Sequence, residues 1–147
     1  MQTATTSFFT LWRALGSSLL VENMDRRKLQ GRTVRELEEV FERLPEARLC
    51  FDVAHARQVD SSLTEAFLIL DGFGERLAQV HLSEVSTSGH HGRLSRTAIL
   101  AFQELAPYIP PVVPVILESP VTEAEIEGEL MRAEEALPLS TAALAYG

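Results

Sequence analysis

The chain has 147 residues, of which 46% are hydrophobic and 23% charged, with a formal net charge of −8. That is about one domain's worth of sequence, read as a single domain over residues 1–147, and it carries enough apolar residues to bury a core. The acidic balance repels phosphate backbones, which disfavours nucleic acid as a partner.

A helix is expected first, from about Ser7 to Leu15 and closing at Gly16, with Phe8, Phe9 and Trp12 spaced to pack it against a sheet. Four short apolar runs then recur: Ser18 to Val21, Arg48 to Phe51, Leu77 to Val80 and Val113 to Leu117. They are continuous rather than alternating, which suits parallel strands covered on both faces. A helical pattern follows each. Thr33 to Glu36 is a capping box, with Val34, Leu37, Phe41 and Leu44 on one face. Ser62 to Glu65 is a second box ahead of Ala66, Phe67 and Leu70. Ser95 caps a helix bearing Ile99, Phe102 and Leu105, which Pro110 and Pro111 stop. Thr122 to Glu125 is a third box, ahead of Ile126, Leu130 and Leu137. The tail after Pro138 is expected to fray. The order is one preceding helix and four βα units, an α/β fold with a parallel sheet and right-handed crossovers.

Cys50 is the only cysteine, so no intramolecular disulfide forms, which fits a reducing, cytoplasmic setting. There is no apolar run of about 18 residues to span a membrane. Met1 to Ser7 lacks the charged start and apolar stretch of a signal peptide.

The residues that end the four runs carry the chemistry. Val21 is followed by Glu22, Phe51 by Asp52, Val80 by His81 and Leu117 by Glu118. In a parallel sheet these positions share the carboxyl edge, where such folds place their sites. Three carboxylates crowded there repel one another, and a divalent cation removes most of that penalty. Mixed carboxylate and imidazole donors suit Mn²⁺, Zn²⁺, Co²⁺ or Fe²⁺, and Mg²⁺ less well. Strand alternation puts Cys50 on the same side as Asp52, beneath the site, as a small buried hydrophobe.

With these residues placed, the sequence resembles the xylose isomerase-like TIM-barrel superfamily, which includes sugar isomerases and epimerases and the endonuclease IV enzymes. The matching pieces are "VENM" (Val21 to Met24), "CFDVAHA" (Cys50 to Ala56), "VHLSE" (Val80 to Glu84) and "VILESP" (Val115 to Pro120). The resemblance implies one divalent metal ion held by Glu22, Asp52, His81 and Glu118. Across that site one of Glu22 and Glu118 is expected to take a proton as general base and the other to return it as acid, with His55 orienting or protonating a substrate oxygen. The resemblance implies a substrate contact for His55, which in the endonuclease branch meets a second zinc. Glu84 falls at the family's acidic position after the "HLS" histidine. In the "SGHHG" loop, Ser88 and His90 stand where endonuclease IV has an Asp-x-His pair, so the carboxylate is missing. A full barrel has eight strands and about 250 residues. The four strands here match strands five to eight, a (βα)4 half-barrel whose edges need a second copy or a partner chain. The implied activity is metal-dependent isomerisation or epimerisation of a small sugar or polyol. The alternatives are a zinc phosphodiesterase using His55 and His90, and an inactive fragment or one half of a split protein.

Overall fold

The structure is a computed structural model, and it describes residues 10–138. The expected helix start at Ser7, the packing of Phe8 and Phe9, and the tail after Pro138 lie outside the described residues. Residues 10–15 are helical and pass into a 3₁₀ turn at Gly16–Ser18, where Gly16 takes a φ of +53°.

Among the described residues six strands and five α-helices follow in chain order: β1 (Leu20–Glu22), α1 (Val34–Arg43), β2 (Arg48–Asp52), α2 (Val53–Val59), α3 (Thr64–Phe73), β3 (Leu77–Leu82), β4 (Glu84–Val85), β5 (His91–Gly92), α4 (Arg96–Leu105), β6 (Val115–Leu117) and α5 (Ile126–Ala136). The main sheet has the order β1-β2-β3-β6, and all three pairings are parallel. Strands β4 and β5 form a separate antiparallel hairpin. No helix among the described residues is long and apolar enough to cross a membrane.

The helix starts show which sequence signals act. Thr33 caps α1, its side chain accepting from the Glu36 amide, while the Glu36 carboxylate reaches back to the Arg32 amide at 2.7 Å. Ser95 caps α4 through the Ala98 amide. The second box does not form. Asp60 takes the Ser62 and Glu65 amides, and Leu63 enters α3 in the left-handed region at φ 64°. At the third box, Glu125 accepts from the Thr122 amide and hydroxyl, and the helix begins one residue later at Ile126.

The core lies on one face of the sheet. Leu49, Phe51, Val80 and Leu82 point into it and meet Leu37 and Phe41 of α1, Ile69 of α3, Phe102 of α4 and Ala133 of α5. Burial of this apolar set is the main term holding the layers together. Cover on both faces was the expectation from the continuous apolar runs. The opposite face corrects it: Leu20 and Ile116 there are 37% and 45% exposed.

Candidate metal centre

Strand pairing brings the predicted ends together in a staggered row. Glu22 pairs with Cys50, Asp52 pairs with His81, and His81 pairs with Ile116. Glu22 therefore sits two residues below Asp52, and Glu118 two residues beyond Ile116. Each such step is ~7 Å along a strand. The longer glutamates stand on the outer strands and the shorter Asp52 on an inner one, so all reach the same space. A register shift between Leu49 and Cys50 sets the match of β2 with β3, because it moves His81 rather than Val80 beside Asp52.

Asp52 has two tasks. It ends β2, and its Oδ1 accepts the His55 amide at 2.7 Å as the cap of α2. That cap turns the chain at once from strand to helix and places His55 over the sheet edge. Asn23, fully buried, brackets Asp52 from β1: its Oδ1 accepts the Asp52 amide at 2.7 Å and its Nδ2 donates to the Asp52 carbonyl at 2.9 Å.

The side chains then converge. His55 Nδ1 lies 3.3 Å from Glu22 Oε1, 3.4 Å from Asp52 Oδ2 and 3.0 Å from the Asn23 carbonyl. His81 Nδ1 lies 3.3 Å from Glu118 Oε1 and 3.6 Å from Glu22 Oε1, and the Gln79 amide holds its Nε2 at 3.0 Å. Two sets of donor atoms, Glu22–Asp52–His55 and Asp52–His81–Glu118, each fall within 4.8 Å. Asp52 belongs to both. Burial pushes the Asp52 carboxyl up to about 6, against the pull of His55. For His55, burial opposes the charge, but Glu22, Asp52 and the Asn23 carbonyl outweigh it and raise the imidazole to about 9. Burial alone would raise Glu22, yet His55 and His81 hold it below its ordinary value. Burial, aided by the three carboxylates, lifts the Cys50 thiol to about 12.

A cation fits this donor set on one observation. Asp52 Oδ2 and His81 Nδ1 are buried and make no hydrogen bond among the described residues; Asp52 belongs to both donor sets and His81 to one. Buried polar atoms are normally paired, so two orphans facing one space ask for a third party.

Two expected substrate-binding residues stand outside the donor sets. Glu84 accepts from Arg57 at 3.4 Å and from the Ser95 amide at 3.0 Å, which ties the hairpin to α2 and α4. His90 is exposed and turns to the Ser88 hydroxyl at 2.9 Å. Its neighbour His91, assigned no role by the sequence, reaches the site. Its Nδ1 is 2.9 Å from the Ser83 hydroxyl and 3.7 Å from Glu118 Oε2, and its ring lies 6.1 Å from that of His55.

The hairpin that carries His91 is clasped by the β1–α1 loop. Arg26 donates to the Thr87 carbonyl at 3.2 Å and Arg27 to the Ser88 carbonyl at 3.1 Å. Gln58 of α2 donates to the Ser86 carbonyl at 2.8 Å. Asp25 grips the Arg27 guanidinium with both oxygens, and that hydrogen bonding drops its carboxyl to about 2 despite partial burial. Gly89, at φ +82°, completes the clasp, because a Cβ there would stand 2.0 Å from the Arg27 Cζ. Neither the family models nor the curated proteins yield a match to this chain.

Proposed function

We propose that the protein is a metal-dependent isomerase or epimerase acting on a small sugar or polyol. The observation that carries this reading is the pair of donor sets Glu22–Asp52–His55 and Asp52–His81–Glu118, which share Asp52 and are linked by His81 Nδ1 at 3.6 Å from Glu22 Oε1, with orphaned buried atoms on Asp52 and His81. Glu22, Asp52, His81 and Glu118 would hold one divalent ion of the Mn, Zn, Co, Fe or Mg class. Bound there, such an ion would supply Lewis-acid chemistry, polarising a substrate carbonyl and acidifying the neighbouring C–H. Glu22, kept ionised by His55 and His81, takes that proton as general base. Glu118, across the site, returns a proton to the opposite face. His55, whose Nδ1 lies 3.3 Å from Glu22 and 3.4 Å from Asp52 at the edge of the donor sets, would orient or protonate a substrate oxygen. Asp52 and His81 serve as ligands, with Asn23 and Gln79 fixing their orientation.

The parallel order β1-β2-β3-β6 accords with strands five to eight of a barrel of the xylose isomerase-like class. The open face at Leu20 and Ile116 is where a second copy or a partner chain would complete that barrel. A cytoplasmic setting accords with the lone, buried thiol.

The test is proton exchange. The metal-loaded protein is incubated in D₂O with aldoses, ketoses and polyols, and deuterium entering the substrate is followed by NMR. Exchange at one carbon that falls about 100-fold or more in Glu22→Gln and Glu118→Gln supports the reading. Exchange unaffected by both changes rejects it, and no exchange with any substrate supports an inactive half-barrel. The endonuclease-like zinc phosphodiesterase stands second, favoured by the two donor sets that share Asp52 and by His91 beside His55. It requires two or three zinc ions per chain, against one for the isomerase.

A further inference from the structure

We propose that the cavity between α2, the β1–α1 loop and the β4–β5 hairpin is an oxyanion site that grips a phosphate or carboxylate group of the substrate. It has a volume of about 280 Å³ and is lined by Arg26, Arg57, Gln58, Ser61, Glu84 and Thr87, among others. Its charge is the first argument. Two guanidiniums face one carboxylate, in a chain whose net charge is −8. That carboxylate is already engaged. Glu84 receives Arg57 on one oxygen and the Ser95 amide on the other. Among the described residues Arg57 makes this one hydrogen bond, through Nη1, which leaves the rest of its donor fork for a ligand. Arg26 has no carboxylate partner among the described residues and spends only one side-chain nitrogen, on the Thr87 carbonyl.

The hydroxyls are the second argument. Those of Ser61 and Thr87 make no hydrogen bond among the described residues. The Gln58 side chain, by contrast, is spent at both ends, on the Arg26 amide and the Ser86 carbonyl, so it shapes the wall. A forked guanidinium with nearby hydroxyls matches the planar or tetrahedral oxygens of such a group.

Position ties this cavity to the metal centre. Arg57 and Gln58 follow His55 on α2 by two and three residues, a rise of ~3 to 5 Å along the helix. Glu84 directly follows Ser83, which holds His91. The cavity and the metal centre therefore share α2 and the β4–β5 hairpin, and a substrate that spans both is an acidic or phosphorylated sugar. This last step rests on the isomerase reading above. The oxyanion site itself does not.

The experiment titrates inorganic phosphate, and separately acetate, into chelator-treated protein by calorimetry or NMR. Saturable binding is expected, weakened about tenfold or more in Arg26→Ala and in Arg57→Ala. Glu118→Gln should bind as the wild type does. Preference for phosphate assigns a phosphoryl group, and preference for acetate a carboxylate. Arg26 is on an exposed loop, so Arg26→Ala decides if Arg57→Ala does not fold. Wild-type affinity in the folded arginine variants, or no saturable binding, overturns the proposal. Arginine-dependent phosphate binding with isomerisation insensitive to Glu118→Gln would retain this site and reject the metal reading.

Discussion

Asp52 and His81 are paired across β2 and β3, and each keeps one buried atom without a hydrogen bond, Oδ2 on the aspartate and Nδ1 on the histidine. Both atoms face carboxylate and imidazole neighbours closer than 4 Å. A folded chain seldom leaves two such atoms orphaned side by side. Asp52→Asn separates the two tasks of this residue. Asparagine still caps α2, so the variant should fold with its helix intact. Its affinity for Zn²⁺ or Mn²⁺ should fall by about 100-fold, since a charged ligand is lost. Calorimetric titration checks this. Unchanged affinity would make Asp52 a cap and nothing more.

The strand ends were legible because each polar residue closes a short, mostly apolar run, broken only by Gln79 in β3 and Pro114 ahead of β6. Helix α2 was not. "VAHARQV" follows β2 with no loop between them, and Asp52 serves both as last strand residue and as cap. The hairpin was hidden as well. Its strands have two residues each, too short to show alternation, so the difference between His90 and His91 had no sequence signal. The box at Ser62 failed because Asp60, two residues earlier, competes for the same amides. The register shift at Leu49 and Cys50 leaves no trace in residue spacing.

The clasp yields a stability test. At Gly89 an added Cβ meets the Arg27 guanidinium, and the backbone there is in the left-handed region. Gly89→Ala should cost about 1 to 3 kcal/mol. Adding Arg27→Ala removes the clash but leaves the backbone strain, so the double variant should be more stable than the sum of the single changes predicts. Urea denaturation of the four proteins gives the answer. Strict additivity would show that Arg27 does not pack under the turn.

Asp25 gives the clasp a pH dependence. Its folded value of about 2 lies below its ordinary 3.8. A depressed carboxylate stabilises the fold above its unfolded value and loses that stabilisation as pH falls toward the folded one. Asp25→Asn should thus lower the urea midpoint at pH 5 to 7. The gap to the wild type should close as pH drops from about 4 to about 2. A gap that stays constant over that range would mean that the ionised form of Asp25 contributes nothing.

Cys50 tests the burial of the sheet beneath the site. It is 4% exposed, and burial together with Glu22, Asp52 and Glu118 lifts its thiol to about 12. Alkylation requires thiolate and access, and the folded metal-free chain denies both at pH 8. Iodoacetamide should label Cys50 only as fast as the protein opens, so the rate should rise with urea in step with unfolding. Fast labelling without denaturant would show that the face of the sheet beneath the site admits solvent in the folded chain, against the burial of Cys50.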